Sequence, residues 1–313
     1  MQKRKLGASG IEVSLVGLGA NNFGGRTDLK TSRLVIHRAL DLGITLIDTA
    51  DIYGNKGGSE EILGQVLGAR RKDVVLATKF GLAMDDAGKL RGASRRYIVQ
   101  ALEASLKRLK TDWIDLYQLH RPDTQTPIDE TLCALDELVK AGKVRAIGCS
   151  NLSAAQLDEA ITVAQRHGLT TFVTAQDEYS LLERELEKDR LPIMRKHDMG
   201  LLPYFPLASG LLTGKYKHNA PLPAGARLAR NPPRHADEFL NDRNWRIVDA
   251  LDAFVARRGH TLLELAMSWL ASRPYIPSII AGATRPEQVE QNMAAVGWAL
   301  SEADLAEIDR ITL

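Results

Sequence analysis

Short, unbroken apolar runs alternate with longer amphipathic stretches from one end of the chain to the other. The runs cover 16–19, 46–48, 74–78, 113–119, 144–150, 172–176, 201–204 and 278–281. Most begin about 30 residues after the last, the length of one strand plus one crossover helix, and only the final step is much longer. Each is continuous rather than alternating, as parallel strands covered on both faces require. The stretches between them carry helix signals. Ile98, Leu102, Leu106 and Leu109 share one face behind Ser94, a residue able to cap. Pro127 opens the stretch that ends at Gly142, and Ser153 opens the one that stops at Gly168.

Eight such runs predict an α/β fold, a (β/α)8 or TIM barrel, although an open doubly wound sheet shares the periodicity. A leucine-rich solenoid repeats at a similar spacing, but no Leu-x-x-Leu-x-Leu pattern recurs. Segment 3–14, with its turn Gly7-Ala8-Ser9-Gly10, reads as a β-hairpin placed to close the barrel floor. The expected organisation is one barrel domain over 1–313. Its irregular stretch, 208–243, carries Pro221, Pro223, Pro232 and Pro233 and predicts a long functional loop.

Composition then excludes several functions. A chain of 313 residues, 44% hydrophobic and 26% charged, buries a full core without disulfides or metal. Forty-one Lys+Arg against 39 Asp+Glu leave a net charge of +2, which speaks against a nucleic-acid partner. Cys133 and Cys149 lie in apolar stretches and make no disulfide framework, and no histidine spacing suggests a metal site. No apolar run is long enough to cross a membrane, and the basic start runs into Ser9, Gly10 and Glu12 rather than an apolar leader. A cytoplasmic protein is the expectation.

Barrel chemistry sits at the carboxyl ends of the strands, so the polar residues that follow each run matter most. There stand Asp48 and, five residues on, Tyr53; then Lys79; then His120. Singly, each has a plainer reading: a cap, a packed loop aromatic, a solvated rim lysine, a core histidine. Together on one rim they form a proton-handling set. A tyrosine hydroxyl, with a pKa of about 10, donates poorly near neutrality. A lysine ammonium beside it lowers that value, an aspartate holds the lysine charged, and a histidine orients a carbonyl oxygen. The set suits protonation of a carbonyl oxygen while hydride reaches its carbon from a nicotinamide.

Six ordered motifs accompany these residues. They are Asp48-Thr49-Ala50-Asp51-Ile52-Tyr53-Gly54, Ala77-Thr78-Lys79-Phe80, Asp115-Leu116-Tyr117-Gln118-Leu119-His120, 142–151 ending in Ser150-Asn151, 206–216, and 282–292. On them the chain resembles the aldo-keto reductase superfamily over essentially its whole length, and within it the bacterial branch related to the potassium-channel β subunits. The resemblance implies a catalytic tetrad of Tyr53 as acid/base, Lys79 and Asp48 tuning it, and His120 orienting the carbonyl. It also implies an NADP(H) site, with NAD(H) compatible. Ser150, Asn151 and Gln176 would bind the nicotinamide carboxamide and Tyr204 would stack under the ring, near Gly19, Ala20 and Asn21 at the end of the first run. Phe205, Pro206, Leu207, Ser209, Gly210, Leu211, Gly214 and Lys215 would surround the pyrophosphate, with Arg227 reaching it from the long loop. Gly282, Thr284, Arg285, Gln288 and Asn292 would hold the adenosine end, where a guanidinium and a helix N-terminus suit a 2′-phosphate. Gln288 and Gly282 stand where many relatives carry a basic residue. Leu152 and Ile44 replace aromatics usual in the family.

The expected reaction is reduction of aldehydes or ketones to alcohols. The substrate pocket is read as Phe23, Phe80 and Arg121 around Tyr53, with an open mouth for small or varied carbonyl compounds. Two alternatives stay open: an NADP(H)-binding regulatory subunit, and an NAD(P)+-dependent sugar or alcohol dehydrogenase. Oligomer formation is compatible with the sequence. Rossmann dehydrogenases are not. Asn22 stands where the third glycine after Gly17-Leu18-Gly19 belongs, and no tyrosine has a lysine four residues on.

Overall fold

The computed structural model describes residues 2–229 and 236–313. Pro232 and Pro233 of the proline-rich stretch lie outside the described residues. The chain opens with an antiparallel pair, β1 (Lys3–Lys5) and β2 (Glu12–Ser14), joined by a 3₁₀ turn. Strands and helices then alternate: β3 (Val16–Gly19), α1 (Leu29–Asp41), β4 (Leu46–Asp48), α2 (Tyr53–Val66), β5 (Val75–Phe80), α3 (Arg95–Leu109), β6 (Ile114–Leu119) and α4 (Ile128–Lys140). The pattern continues through β7 (Val144–Ser150), α5 (Ala154–His167), β8 (Thr174–Glu178), α6 (Leu186–Lys196) and β9 (Gly200–Tyr204). After α7 (Ala236–Phe239), α8 (Asp242–Ala256) and α9 (Leu262–Ala271) come β10 (Ile279–Gly282), α10 (Pro286–Ala294) and α11 (Glu302–Thr312).

Strands β3 to β9 pair in chain order, all parallel, and β10 pairs with β3. The two outermost strands, β9 and β10, pack side by side, so the sheet curls into a nearly closed (β/α)8 barrel. That contact removes the open doubly wound alternative, in which outer strands lie far apart. Local chemistry sets the helix starts. The side chains of Asp28, Ser94 and Ser153 accept from the first-turn amides of α1, α3 and α5, and Gln156 completes a reciprocal capping box at α5.

The hairpin does close the floor. Leu6 and Val13, both fully buried, join Leu46, Leu116, Leu202 and Ile280 in an apolar layer inside the barrel. Gly7 makes the close approach possible: its φ is +53°, and a Cβ there would stand 2.1 Å from the Val173 carbonyl oxygen. A second, larger core fills the space between the strands and the helices. The stretch expected as a long loop, 208–243, carries short helical turns that the sequence reading did not include. Its described part holds 3₁₀ turns at Ala208–Thr213 and Arg227–Ala229, the short α7 and the start of α8. Buried Tyr216, Leu228 and Phe239 pin it to the barrel.

Candidate active site

The parallel register aligns the strand ends that carry the polar residues. Asp48 pairs across to Gly19 and Ala77, Lys79 to Gln118, and Ser150 to Gln176. Lys79, fully buried, donates from Nζ to Asp48 Oδ2 at 2.7 Å and to the Thr49 carbonyl at 2.8 Å. The other oxygen of Asp48 accepts from Gln176 Nε2 at 2.9 Å and Gln118 Nε2 at 3.2 Å. A buried ion pair is tolerable only when its remaining valences are satisfied in this way. Burial acts to lower the Lys79 pKa, but the Asp48 charge, with Tyr53 and the hydrogen bonds, more than reverses it and lifts the ammonium above its ordinary value.

Tyr53 reaches the same place by a strained route. Asn55 and Lys56 take φ of 62° and 66°, and Gly54 takes 68°, so the chain makes a left-handed turn before α2 becomes regular. A Cβ at Gly54 would lie 2.4 Å from the Phe23 carbonyl, so only glycine can follow the tyrosine. The half-buried Tyr53 ring meets His120 edge-on at 5.7 Å, and Lys79 Nζ stands 5.0 Å from its centroid. Burial raises the phenol above its ordinary pKa, while the Lys79 charge pulls it down. The lowering expected from lysine alone is therefore outweighed by desolvation. Burial, reinforced by Lys79 and Arg121, pushes His120 down to about 3, so its imidazole is neutral at physiological pH. His120 Nδ1 is buried and meets no hydrogen-bond partner among the described residues.

Asp48, Tyr53 and His120 line a cleft of about 1130 Å³ across the barrel mouth, with Lys79 buried behind them. Gly19, Ala20 and Asn21 line it after β3, and Ser150, Asn151 and Gln176 line it beside His120. The last three are already tied together. Ser150 Oγ donates to the Gln176 carbonyl, Asn151 Nδ2 donates to Ser150 Oγ and to the His120 carbonyl, and Tyr204 OH donates to Asn151 Oδ1. Phe205, Pro206, Leu207, Ser209, Gly210, Lys215 and Arg227 form one wall, and Gly282, Thr284, Arg285, Gln288 and Asn292 form the far end. There the Gln288 side chain accepts from the amide and hydroxyl of Thr284, which shapes the entry to α10.

Four predicted residues stand elsewhere. Phe23 and Phe80 are fully buried in the core and do not line the cleft. Successive strand residues point to opposite faces, so Lys79 facing the interior sends Phe80 outward, where its ring packs on Tyr117 at 4.7 Å. Leu211 is likewise core, and Gly214 ends its 3₁₀ turn off the cleft wall. The sequence reading missed Gln118, Arg26 and Glu178. Glu178 had a signal, since it lies two residues after Gln176 on β8 and so on the same face, whereas no marked residue shares β6 with Gln118. Arg26 had none, because it follows a turn closed by its own amide on the Asn22 carbonyl.

A sequence model described as the aldo/keto reductase family matches residues 15–312. The chain belongs to the aldo/keto reductase family. Among its relatives is the aldo-keto reductase YhdN of Bacillus subtilis, 40% identical, the match covering 99% of this chain and 93% of that one. A probable voltage-gated potassium channel subunit beta of Arabidopsis thaliana is 40% identical over 95% of this chain and 91% of its own. L-glyceraldehyde 3-phosphate reductase of Escherichia coli is 33% identical over 99% and 92%. This aldo/keto reductase is thus an oxidoreductase of a nicotinamide-dependent family. Among the described residues no cluster of His, Cys, Asp and Glu could hold a metal, and no helix is long and apolar enough to cross a membrane.

Proposed function

We propose that this aldo/keto reductase reduces small aldehydes and ketones to alcohols with NADPH, Tyr53 serving as proton donor. The observation that carries the reading is the buried Lys79–Asp48 pair set against Tyr53, beside a neutral His120. The cleft residues fit a nicotinamide dinucleotide. The cleft is cationic where its wall meets its far end: burial, and then the charges of Arg26, Arg285 and Arg227, push the Lys215 pKa down. That clustering suits a pyrophosphate and a 2′-phosphate together. Tyr204 presents its ring, and the Ser150, Asn151 and Gln176 set supplies amide and hydroxyl groups for a carboxamide. When bound, the reduced nicotinamide supplies a hydride.

The protein's own part is proton delivery and orientation. Neutral His120 hydrogen-bonds a carbonyl oxygen without adding charge. Lys79 favours the phenolate that Tyr53 becomes after giving its proton to that oxygen, and Asp48 holds Lys79 in place. Burial keeps the phenol protonated until it is used. Arg121, an exposed cleft residue, forms no hydrogen bond or ion pair with a described residue, so carbonyl compounds bearing an anionic group fall within the proposed class. The relative named for a phosphorylated aldehyde supports that extension.

The test is oxidation of NADPH and NADH against a panel of neutral and anionic aldehydes, run beside Tyr53→Phe. The expected result is a wild-type preference for NADPH and a fall in kcat of at least about 10²-fold in the variant, with cofactor affinity within about twofold. Turnover surviving in Tyr53→Phe would overturn the assignment. Tight NADPH retention without turnover would favour a regulatory cofactor-binding role instead, and faster alcohol oxidation would reverse the direction.

A further inference from the structure

Behind the tetrad lies a second set of buried charges that the reaction does not use. Glu60, fully buried on α2, accepts from Arg108 Nε of α3 at 2.6 Å and from Thr78 Oγ1 of β5 at 2.6 Å. With Asp48 and Lys79, this makes two acids each matched by one base. Asp51 is the fifth ionisable group and has no base of its own. It is 1% exposed, neither carboxyl oxygen has a hydrogen-bond partner among the described residues, and the Ile52 N–H beside it lowers its pKa less than burial raises it. Around it stand Glu60 of α2, Arg108 and Tyr97 of α3, Lys79 of β5 and Tyr117 of β6, with Asp85 also acting on Tyr97. Tyr97 OH is itself buried without a hydrogen-bond partner among the described residues.

The backbone of Asp51 sits in the turn that presents Tyr53. Its N–H donates to the Lys79 carbonyl at 3.1 Å, and the Tyr53 N–H donates to the Ala50 carbonyl, also at 3.1 Å. Asp51 thus lies in the short path joining the lysine to the tyrosine. A charged carboxylate without hydrogen bonds at this depth would draw the turn toward solvent or pull on the Lys79 ammonium. We propose that Asp51 is a positioning residue: carried as the neutral acid, it leaves the buried charges balanced and holds the turn that sets Tyr53 against Lys79, and its ionisation loosens that turn. Burial, and then the Glu60 charge, push its carboxyl up to about 7, which places the change within the working range.

The inference rests on the proposed role of Tyr53, and the test separates the two. Asp51→Asn keeps the shape and removes the charge. The first measurement is the thermal midpoint of wild type and variant at pH 5 and pH 8, which needs no turnover. The folded carboxyl keeps its proton up to about pH 7 while the unfolded one loses it near pH 4, so wild type loses stability between those values and the variant does not. The midpoint of the variant relative to wild type should rise by several degrees from pH 5 to pH 8. An unchanged difference would show that Asp51 is ionised in the fold and would overturn the proposal.

The second measurement is the ratio of kcat at pH 6 to kcat at pH 8.5. It should be at least about fivefold in wild type and less than about twofold in Asp51→Asn. Equal ratios beside a shifted midpoint would leave a neutral acid with no positioning role. A shifted midpoint in a protein without turnover would retire the reductase reading and leave the proton assignment standing. Should the unpaired amide prevent folding, Asp51→Leu, also neutral, carries the same comparisons.

Discussion

His120 shows how far a residue's chemistry depends on what surrounds it. An imidazole in water is half protonated near pH 6.5. Here burial, with Lys79 and Arg121 beside it, holds the ring neutral down to about pH 3. Two-dimensional NMR of the imidazole should therefore show no titration step between pH 5 and 8. A step near 6.5 would mean that the ring is solvated and can act as an acid. The sign for Tyr53 is opposite in effect: burial raises the phenol, which suits the proton donor proposed for it, and the Lys79 charge pulls the other way. That Lys79 and Asp48 would pair was readable from their strand ends. That Gln118 and Gln176 would complete the carboxylate was not, because glutamines inside apolar strands carry no pattern that points at a partner.

At the scale of elements, each strand end gains its function from the connection that follows. The left-handed turn 54–57 follows directly on Tyr53, and Asn151, Phe205 and Ser209, all with positive φ, line the cleft, so backbone strain gathers where the chain must expose side chains and amides. The helices are conventional, and Ser153→Ala should cost about 1 kcal/mol in chemical denaturation without altering turnover. The motif residue Asp115 has a structural task. It is 1% exposed, ion-paired with Arg71 at 2.9 Å and Arg145 at 2.7 Å, and accepts from the Leu76 amide. Asp115→Ala strands the buried Arg71 guanidinium and should destabilise the fold by about 3 kcal/mol or more, with kcat per folded molecule retained. Loss of kcat in the folded fraction would place Asp115 in the chemistry after all. Element boundaries were legible because a strand covered on both faces must be continuously apolar. The partial order of 208–229 and 236–243 was hidden, since Tyr216, Leu228 and Phe239 bury against parts of the barrel remote in sequence.

For the whole molecule, a net charge of +2 conceals an uneven distribution. Arg26, Lys215, Arg227 and Arg285 converge at one end of the cleft from four separate segments. Arg285→Gln should raise the KM for NADPH about tenfold and leave that for NADH nearly unchanged, and added salt should weaken NADPH binding in wild type more than in the variant. Equal loss for both nucleotides would place Arg285 away from a 2′-phosphate. By itself the sequence determined the barrel class, the strand ends and which polar residues gather at them, because apolar periodicity and local motifs are properties of neighbouring positions. Only the tertiary structure decided which side chains share a space. It turned Phe80 outward, sealed Phe23 in the core, brought Arg26 to the cleft and left Asp51 buried without a hydrogen-bond partner among the described residues. Those outcomes depend on which face a residue presents and what the rest of the chain folds against it, and burial then sets the protonation of each group.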